Sequence, residues 1–432
     1  MNRRHVLVGV VVFLCTSFAY SNNIFAVGSG GFRNEVVDAE AMGKASAFVA
    51  QADNPSAIHY NPAGLTQLKG SYLSIGYTAE FPVNEVDSNT GDGTVQMQRQ
   101  YFLIPNFYYV TDLGKGGAKI GVGVTAPYGL GTDWAHDSYV AENATESDVE
   151  FININPTIAY KINDTLSIGA GLDVYDSEIE KRKRLDNAAL SSNGDFKLEG
   201  SDTALGYNVG FLIKPMEGHS IGLSYRSEVD MEYRGTITLT NIEDATALFV
   251  FGGSTYTTDM KTELTLPQSL AIGYAYKPND KWTFEADVEW TDWSSIKQDL
   301  VEYPSLAAGD SKLIYLNDGN PAAKDWTDVF AFGFGTEYQA TDKLELRCGY
   351  LYEQTPIPSA TFDSALPGAN RHGITLGAGY DFKDVKVDVS YMFLAFRDRD
   401  ITNDVGSNTG ANINGKYKAH VNIFAVGFTY KF

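Results

Sequence analysis

The last stretch of the chain, from His420 to Phe432, alternates between two kinds of side chain with almost no error. One face carries mostly large apolar residues, and the other carries smaller or polar ones: Phe424, Val426, Phe428, Tyr430 and Phe432 against Ile423, Ala425, Gly427, Thr429 and Lys431. A period of two residues predicts a β-strand with one strongly apolar face. This strand therefore needs an apolar environment along one side.

The N-terminus has the layout of a secretory signal peptide. Arg3 and Arg4 precede an apolar run, and small and polar residues follow that run. The run is too short to span a bilayer of roughly 30 Å as a helix, so a membrane anchor is disfavoured. We assign residues 1–26 to the signal peptide, with cleavage after Ala26 or after Ala19 both open. Together with the terminal Phe432, export points to the class of bacterial outer-membrane β-barrels.

From Ser71 onward the sequence divides into about fourteen alternating segments, each close to the ten residues or so that a tilted membrane strand needs. The clearest one places apolar residues on one face and polar residues on the other: Trp282, Phe284, Ala286, Val288 and Trp290 against Thr283, Glu285, Asp287, Glu289 and Thr291. After the signal peptide there is no apolar run of about 18 residues, which excludes helical membrane spans. A membrane protein with this sequence must therefore be a barrel.

Short and long connections alternate along the chain. The short ones are expected near 113–117, 163–164, 215–218, 278–280, 341–342 and 383–384, and the long ones near 83–97, 133–147, 185–195, 241–258, 300–323, 355–370 and 401–416. Tight periplasmic turns and longer extracellular loops are the arrangement of outer-membrane barrels. The sequence predicts an all-β fold, a transmembrane antiparallel β-barrel of about 14 strands over residues 71–432, in the bacterial outer membrane.

Residues 27–70 do not fit the strand pattern. They contain a helix-like stretch from Ala39 to Ala50 and then turn-forming residues at 53–55 and 61–62. A segment of this size ahead of a barrel is expected to sit inside the lumen as a plug. The alternative is a disordered periplasmic tail, which the apolar content and the lack of charge runs disfavour.

Two motifs resemble the FadL/TodX family of outer-membrane transporters. The first is an ordered set in the N-terminal segment: Gly31 and Phe32, then 41–45, then 52–65 with the triplet Asn61, Pro62 and Ala63 followed by Gly64. The second runs from Thr125 to Trp134 and contains Pro127, Tyr128, Gly129, Leu130 and Gly131. The resemblance implies that residues 27–70 form a hatch and that the third strand is kinked inward.

The physical properties of the second motif agree with a kink. Pro127 cannot donate to a sheet ladder, and Gly129 and Gly131 lack side chains that would hold a regular pleat, so we expect a bend or bulge. In the family this kink opens a lateral gap from the lumen to the bilayer. The alternative is that the segment only ends a strand and begins a loop.

The resemblance implies passive uptake of hydrophobic molecules, either long-chain fatty acids or related lipids and hydrocarbons, with lateral exit at the third strand. It also implies a monomer, and neither enzymatic activity, a cofactor nor a metal site is expected. The competing interpretation is a general diffusion porin for small polar solutes. Porins constrict with an inward-folded outer loop and lack an N-terminal hatch, so residues 27–70 discriminate between the two.

Candidate ligand contacts come from three groups of residues. The basic cluster Lys181, Arg182, Lys183 and Arg184 could attract a carboxylate, or bind the phosphates of lipopolysaccharide as membrane-rim cations do. The apolar loop run Leu248, Phe249, Val250 and Phe251 could collect ligand or pack on a neighbouring loop. Lumenal Glu285, Asp287 and Glu289 would repel an anion unless an Arg or Lys from the hatch or another strand pairs with them. The net charge of -21 argues against nucleic acid as a partner.

Overall fold

The computed structural model describes residues 31–34, 36–114, 116–187, 189–405 and 412–432, so the predicted signal peptide lies outside the described residues. The described chain forms a closed antiparallel barrel of 14 strands. We number these strands β1 to β14, and three of them are interrupted. They are β1 (Tyr72–Ser88), β2 (Phe102–Leu113), β3 (Ala118–Thr125 and Gly129–Asp133), β4 (Glu146–Lys161), β5 (Leu166–Asn187), β6 (Ser191–Met216), β7 (His219–Arg226 and Val229–Thr240), β8 (Tyr256–Leu266 and Ser269–Asn279), β9 (Trp282–Thr291), β10 (Val329–Gln339), β11 (Leu344–Glu353), β12 (Arg371–Asp381), β13 (Val385–Phe396) and β14 (Gly415–Lys431).

The barrel closes between its first and last strands. The ladder of β1 and β14 runs from Tyr72 opposite Lys431 to Ser88 opposite Gly415. Beyond its end, the backbone N–H of Phe432 donates to the carbonyl of Ser71 at 3.0 Å. Closure pairs the backbone groups that an open sheet edge would leave exposed, which is the condition for crossing a membrane with strands.

The alternation of side chains matches the two faces of the wall. On β14, Phe424 and Phe428 are about half exposed, whereas Ile423 and Ala425 are buried. On β9, Trp282 and Phe284 face outward, and Glu285 and Asp287 are buried inside. The predicted barrel and its lipid-facing apolar parity are confirmed.

The predicted short turns occur between β2 and β3, β4 and β5, β6 and β7, β8 and β9, β10 and β11, and β12 and β13. Two predicted long loops are wrong. Residues 83–97 lie mostly in strand, because β1 continues to Ser88 and pairs with Thr94–Gln96. Residues 185–195 belong mostly to β5 and β6, which stay paired as far as Asn187 opposite Ser191. Cross-strand ion pairs such as Lys197 with Glu180, at 3.3 Å, support this hairpin beyond the apolar band.

The N-terminal segment contains two short helices, α1 (Ala39–Met42) and α2 (Ala57–Tyr60), and a 3₁₀ turn at Pro62–Gln67. The expected helix from Ala39 to Ala50 is wrong beyond Met42. The helix has Gly43 as its C-cap, and Ala45 and Ser46 have φ angles of 56° and 59°, which a right-handed helix cannot include. Most side chains between 36 and 68 are buried, with α1 against β12 to β14 and the 3₁₀ turn against β4 to β6.

The long loops at the opposite end carry two further helices, α3 (Ala245–Phe251) and α4 (Leu313–Leu316). They also carry the short strand segments Thr94–Gln96, Gln298–Asp299, Val301–Glu302, Ala322–Ala323 and Arg399–Ile401 and a 3₁₀ turn at Trp293–Ser295. Among the described residues, no helix is both long enough and apolar enough to cross a bilayer.

Candidate functional site

The third strand is broken where the sequence predicts a kink. Its ladder with β4 stops at Thr125 opposite Asn153 and resumes at Gly129 opposite Glu150. Residues 126–128 thus lie opposite only 151–152, which is a β-bulge. The predicted irregularity is present, and the strand continues beyond it instead of ending there.

On its other side, the part of β3 beyond the break leaves β2. The ladder of β2 with β3 spans Phe107 opposite Val124 to Leu113 opposite Ala118. Among the described strands, Gly129–Asp133 pairs with β4 alone. The wall between β2 and β3 therefore lacks a continuous ladder near the long-loop end.

Backbone groups at the break bind the N-terminal segment instead. The N–H of Gly129 donates to the carbonyl of Phe32 at 2.8 Å, and the N–H of Asn34 donates to the carbonyl of Pro127 at 2.8 Å. The Asn34 side chain also donates to the carbonyl of Ala126 at 3.2 Å. Because buried backbone groups need partners, the position of this segment and the shape of the third strand depend on each other.

Phe32 is enclosed by aromatic rings. Its ring centroid lies 5.0 Å from that of Trp293, 5.8 Å from Tyr128 and 6.2 Å from Trp326. Phe32 itself is only 4% exposed. Edge and tilted contacts of this kind stabilise ring clusters beyond the burial of area, so Phe32 is held firmly across the lumen.

A small inner pocket of about 70 Å³ lies directly beside Phe32. Its apolar lining comes from strands and loops: Phe32, Leu130, Val149, Ile179, Leu264, Ile296, Trp326, Ile357 and Leu366. Leu130 from the predicted gate motif thus contributes to this pocket. An apolar pocket with a few polar groups at one end is the usual form of a small-molecule site.

A larger outer cavity of about 760 Å³ lies among the long loops. All four residues of the basic cluster 181–184 line it, as do Phe196 and Tyr315. Arg184 pairs with Glu142 at 2.7 Å, and Lys183 lies over the ring of Phe196 at 5.4 Å from its centroid.

An ion-pair cluster of four residues, Lys181, Asp299, Lys324 and Asp363, lines both the outer cavity and the inner pocket. Asp299 lies 3.1 Å from Lys181 and 3.4 Å from Lys324, and Lys324 also binds Asp363. Burial opposes ionisation of Asp299, but the two lysines outweigh it and hold the pKa of Asp299 below its usual range. Burial likewise opposes the charge of Lys324, yet Asp299 and Asp363 raise its pKa. Asp299 and Lys324 are thus both charged near neutral pH.

The acids of β9 bind the N-terminal segment. Asp287 accepts the N–H groups of Phe48 and Val49 at 2.8 and 2.9 Å. Glu285 accepts those of Ala50 and Gln51 at 2.6 and 3.1 Å. Glu289 pairs with Arg33. The condition stated from the sequence, a pairing with Arg or Lys, is thus met by Glu289, whereas the partners of Glu285 and Asp287 are backbone N–H groups of the segment.

Two more buried ion clusters join the segment to the wall. Arg226 of β7 pairs with Asp173 of β5 and donates to the carbonyl of His59 at 3.2 Å. Arg347 and Lys386 hold Glu40 of α1 at 3.2 and 3.0 Å. Buried cations of this kind are costly to leave unpaired, so they favour the bound position of the segment.

The Asn61–Gly64 motif also contacts the wall. Asn61 is fully buried and donates to the carbonyls of Val49 and Phe211 at 2.8 and 3.0 Å, while its Oδ1 accepts the N–H of Ala63 at 3.2 Å. A Cβ on Gly210 would overlap the Asn61 side chain, and one on Gly64 would overlap the carbonyl of Ala52. Pro62 opens the 3₁₀ turn that packs on β4 to β6.

The apolar run 248–251 lies on α3. Its residues differ in environment, which bears on the two predicted roles, collecting ligand and packing on a neighbouring loop. Phe251 is buried, and its ring centroid is 5.4 Å from that of Tyr315 in the neighbouring long loop. Phe249 is 88% exposed, and Leu248 and Val250 are half-buried. Phe251 therefore packs on a neighbouring loop, whereas Phe249 presents an apolar surface to the outside.

Sequence reasoning missed the pocket residues Asp299, Lys324, Trp326 and Asp363, and also Trp293, which packs on Phe32. They come from two long loops separated in the chain, and the charged ones have the composition of ordinary solvated loops. The tryptophans in otherwise polar stretches were the one available signal, because a large ring in a loop is seldom left exposed.

Comparison with known proteins agrees with this geometry. A family model described as outer membrane protein transport protein (OMPP1/FadL/TodX) matches residues 25–432. A long-chain fatty acid transport protein of Salmonella typhi is 24% identical, over 85% of this chain and 87% of its own. The structure of a Pseudomonas aeruginosa FadL homologue matches with a TM-score of 0.80 at 18% identity, over 93% of this chain and 100% of its own. That of the Ralstonia pickettii toluene transporter TbuX matches with a TM-score of 0.66 at 17% identity, over 88% and 94%.

Proposed function

The chain belongs to the OMPP1/FadL/TodX family of outer membrane transport proteins, and from that premise we propose a passive, plugged route for hydrophobic molecules with lateral exit at the third strand. Transport of hydrophobic substrates across the bacterial outer membrane, without enzymatic activity, is what the family does. The finer statements are our proposal: the plug, the exit, the ligand contacts and a monomeric state.

We assign the plug, or hatch, to residues 27–70. Its support is the set of buried bonds to the wall, namely the clamp of Glu285 and Asp287 on residues 48–51 and the contacts of Asn61 with Phe211. A disordered tail would form none of these contacts. A segment held in this way closes the lumen to water and ions.

The observation that carries the lateral exit is the broken third strand. Its freed backbone groups bind Phe32 and Asn34 of the hatch and do not continue the ladder with β2. A shift of the hatch would remove those partners and expose a gap in the wall beside the inner pocket. Ligand binding and opening would thus be linked through Phe32.

Lateral exit has an energetic reason. Each methylene taken from apolar surroundings into water costs about 0.8 kcal/mol, so a chain of about sixteen carbons would lose roughly 12 kcal/mol by entering the periplasm. A path from the apolar pocket through the wall into the bilayer avoids most of that loss.

Ligand would enter from the extracellular loops. Exposed Phe249 and the basic residues 181–184 of the outer cavity would collect it, and the inner pocket beside Phe32 would then receive it. Because all four basic residues line the cavity, we favour attraction of a carboxylate over contacts with lipopolysaccharide. Long-chain fatty acids and aromatic hydrocarbons are both candidate substrates, as the names of the relatives indicate.

A general diffusion porin is not favoured. Residues 354–370, here called the roof loop, do fold over the inner pocket, as a porin's constricting loop would, and Phe362 and Ser364 are fully buried. However, the roof loop covers an apolar pocket, and the hatch fills the lumen below it.

The test of the exit route is Gly129→Phe, which would fill the break with a large ring. Uptake of a labelled long-chain fatty acid by cells should fall several-fold at equal surface level, whereas binding by the purified protein should persist. Gly116→Phe, in an open turn between β2 and β3, is the matched control. Normal uptake by a correctly folded Gly129→Phe protein would refute lateral exit.

A further inference from the structure

The ion-pair cluster Lys181, Asp299, Lys324 and Asp363 separates the outer cavity from the inner pocket. Its charges alternate and sum to zero, and all four residues border both spaces. Lys324 and Asp363 are the more buried pair, with side chains 14% and 12% exposed. A molecule that moves from the outer cavity into the apolar pocket must therefore pass these charges.

Asp363 is held in place by its own loop. Its Oδ1 accepts the N–H groups of Ala365 and Leu366 at 3.0 and 3.3 Å, which leaves Oδ2 to bind Lys324. The carbonyl of the next residue, Ser364, accepts the indole N–H of Trp134 at 2.9 Å. These bonds already fix the Asp363 side chain, so its ion pair with the ammonium of Lys324 costs no further conformational entropy.

The surroundings of Lys324 suit the head of an amphiphile. The apolar lining of the inner pocket, at about 70 Å³, would take part of a hydrocarbon chain, and the ammonium at its mouth would take a single anionic group. In the structure Lys324 pairs with two carboxylates, Asp363 and, at 3.4 Å, Asp299, and Asp363 holds the nearer position. An arriving carboxylate would have to displace one already bound within the protein.

Resting on the proposed transport function, we propose that Lys324 recognises the anionic head of a long-chain carboxylate and that Asp363 is an intramolecular competitor for this position. The competitor limits the affinity, which a transporter needs because its ligand must leave. An uncharged molecule of equal length gains nothing from Lys324. The cluster, and not the apolar lining, then distinguishes carboxylates from neutral hydrocarbons.

Two substitutions separate these roles. Asp363→Asn keeps the Oδ1 acceptor for Ala365 and Leu366 and removes the charge, so it should tighten carboxylate binding. Lys324→Gln should weaken it. A charge-assisted hydrogen bond contributes roughly 1.5–3 kcal/mol, so each change should be on the order of tenfold or more. Neither variant should alter the affinity for a neutral chain.

The measurement is quenching of tryptophan fluorescence in full-length mature protein in lipid nanodiscs, since Trp326 lines the pocket. Dodecanoate and 1-dodecanol are titrated separately, because they share the same apolar chain. Asp398→Asn is the matched control, as Asp398 pairs with Lys416 at 3.0 Å and borders neither space. The expected result is opposite shifts for dodecanoate in the two variants and no shift for 1-dodecanol.

Equal shifts for both compounds, or none for dodecanoate in either variant, would overturn the proposal and leave the transport function standing. If the wild type binds neither compound saturably, the proposed function itself fails. Should Asp363→Asn not fold, as judged by heat modifiability on gels, Lys324→Gln decides the question. Unchanged dodecanoate affinity in that variant would then count against the proposal.

Discussion

The clamp of β9 on the hatch gives the sharpest prediction. Glu285 and Asp287 accept four backbone N–H groups from residues 48–51, at 2.6 to 3.1 Å. Both carboxylates are buried, and they lie on a strand whose outer face carries Trp282 and Phe284. Replacing both acids by alanine would remove every one of these acceptors and leave the strand pattern intact.

The size of the effect follows from those four donors. A buried N–H without a partner costs about 1 to 3 kcal/mol, and water entering the lumen reduces the cost toward the lower value. Four donors at about 1 kcal/mol weaken hatch docking by roughly 4 kcal/mol. Because each 1.4 kcal/mol is a factor of ten, the undocked population should rise about a thousandfold.

The assay is ion conductance of single proteins in planar bilayers, with amide hydrogen exchange of residues 48–51 as the local readout. The double alanine variant should show frequent open events and rapid exchange. Glu285→Gln with Asp287→Asn is the matched control, because each amide oxygen can still accept both N–H groups. Wild-type conductance and wild-type exchange in the double alanine variant would refute the clamp.

Two further predictions concern the fit of the hatch. A Cβ on Gly222 would overlap the carbonyl of Val49, so Gly222→Ala should raise conductance, whereas Gly427→Ala, whose Cβ would meet only the Cβ of Ala39 at 3.4 Å, should not. Phe32→Ala should also raise conductance, because it removes the ring that the aromatic side chains enclose, and the outward-facing Phe382→Ala serves as its control. Unchanged conductance in Gly222→Ala or in Phe32→Ala would show that the residue does not help to close the lumen.

The barrel could be predicted because its signals are local. In a strand that crosses a membrane, alternate residues face lipid and lumen. The apolar and polar alternation of Trp282–Thr291 therefore identifies both faces without information about a partner strand. The break at Pro127 could also be predicted, because a proline has no backbone N–H to donate to a sheet ladder. Each of these features depends only on residues adjacent in the chain.

The structures of the hatch and the pocket were harder to predict, because they depend on contacts between residues far apart in the chain. Small residues from Ala39 to Ala50 favour a helix, but Asp287 and Glu285, far along the chain, bind the N–H groups of residues 48–51. Likewise the hairpin at 185–195 is polar enough for a loop, yet cross-strand pairing keeps it as sheet. Tertiary contacts override local preference at both places.

The acids of β9 bear on the substrate in a way that the sequence left conditional. Unpaired acids in the lumen would have favoured an uncharged hydrocarbon, because they repel a carboxylate. Glu285 and Asp287 are instead bound to hatch backbone, and Glu289 is paired with Arg33. Glu289 therefore no longer argues against an anionic ligand, and the carboxylates of Glu285 and Asp287 are directed at hatch backbone. The charges that a ligand would meet first are those of the ion-pair cluster. There a ligand carboxylate would compete with Asp363 for the ammonium of Lys324, whereas a neutral hydrocarbon would not, and this competition would distinguish the two ligand classes.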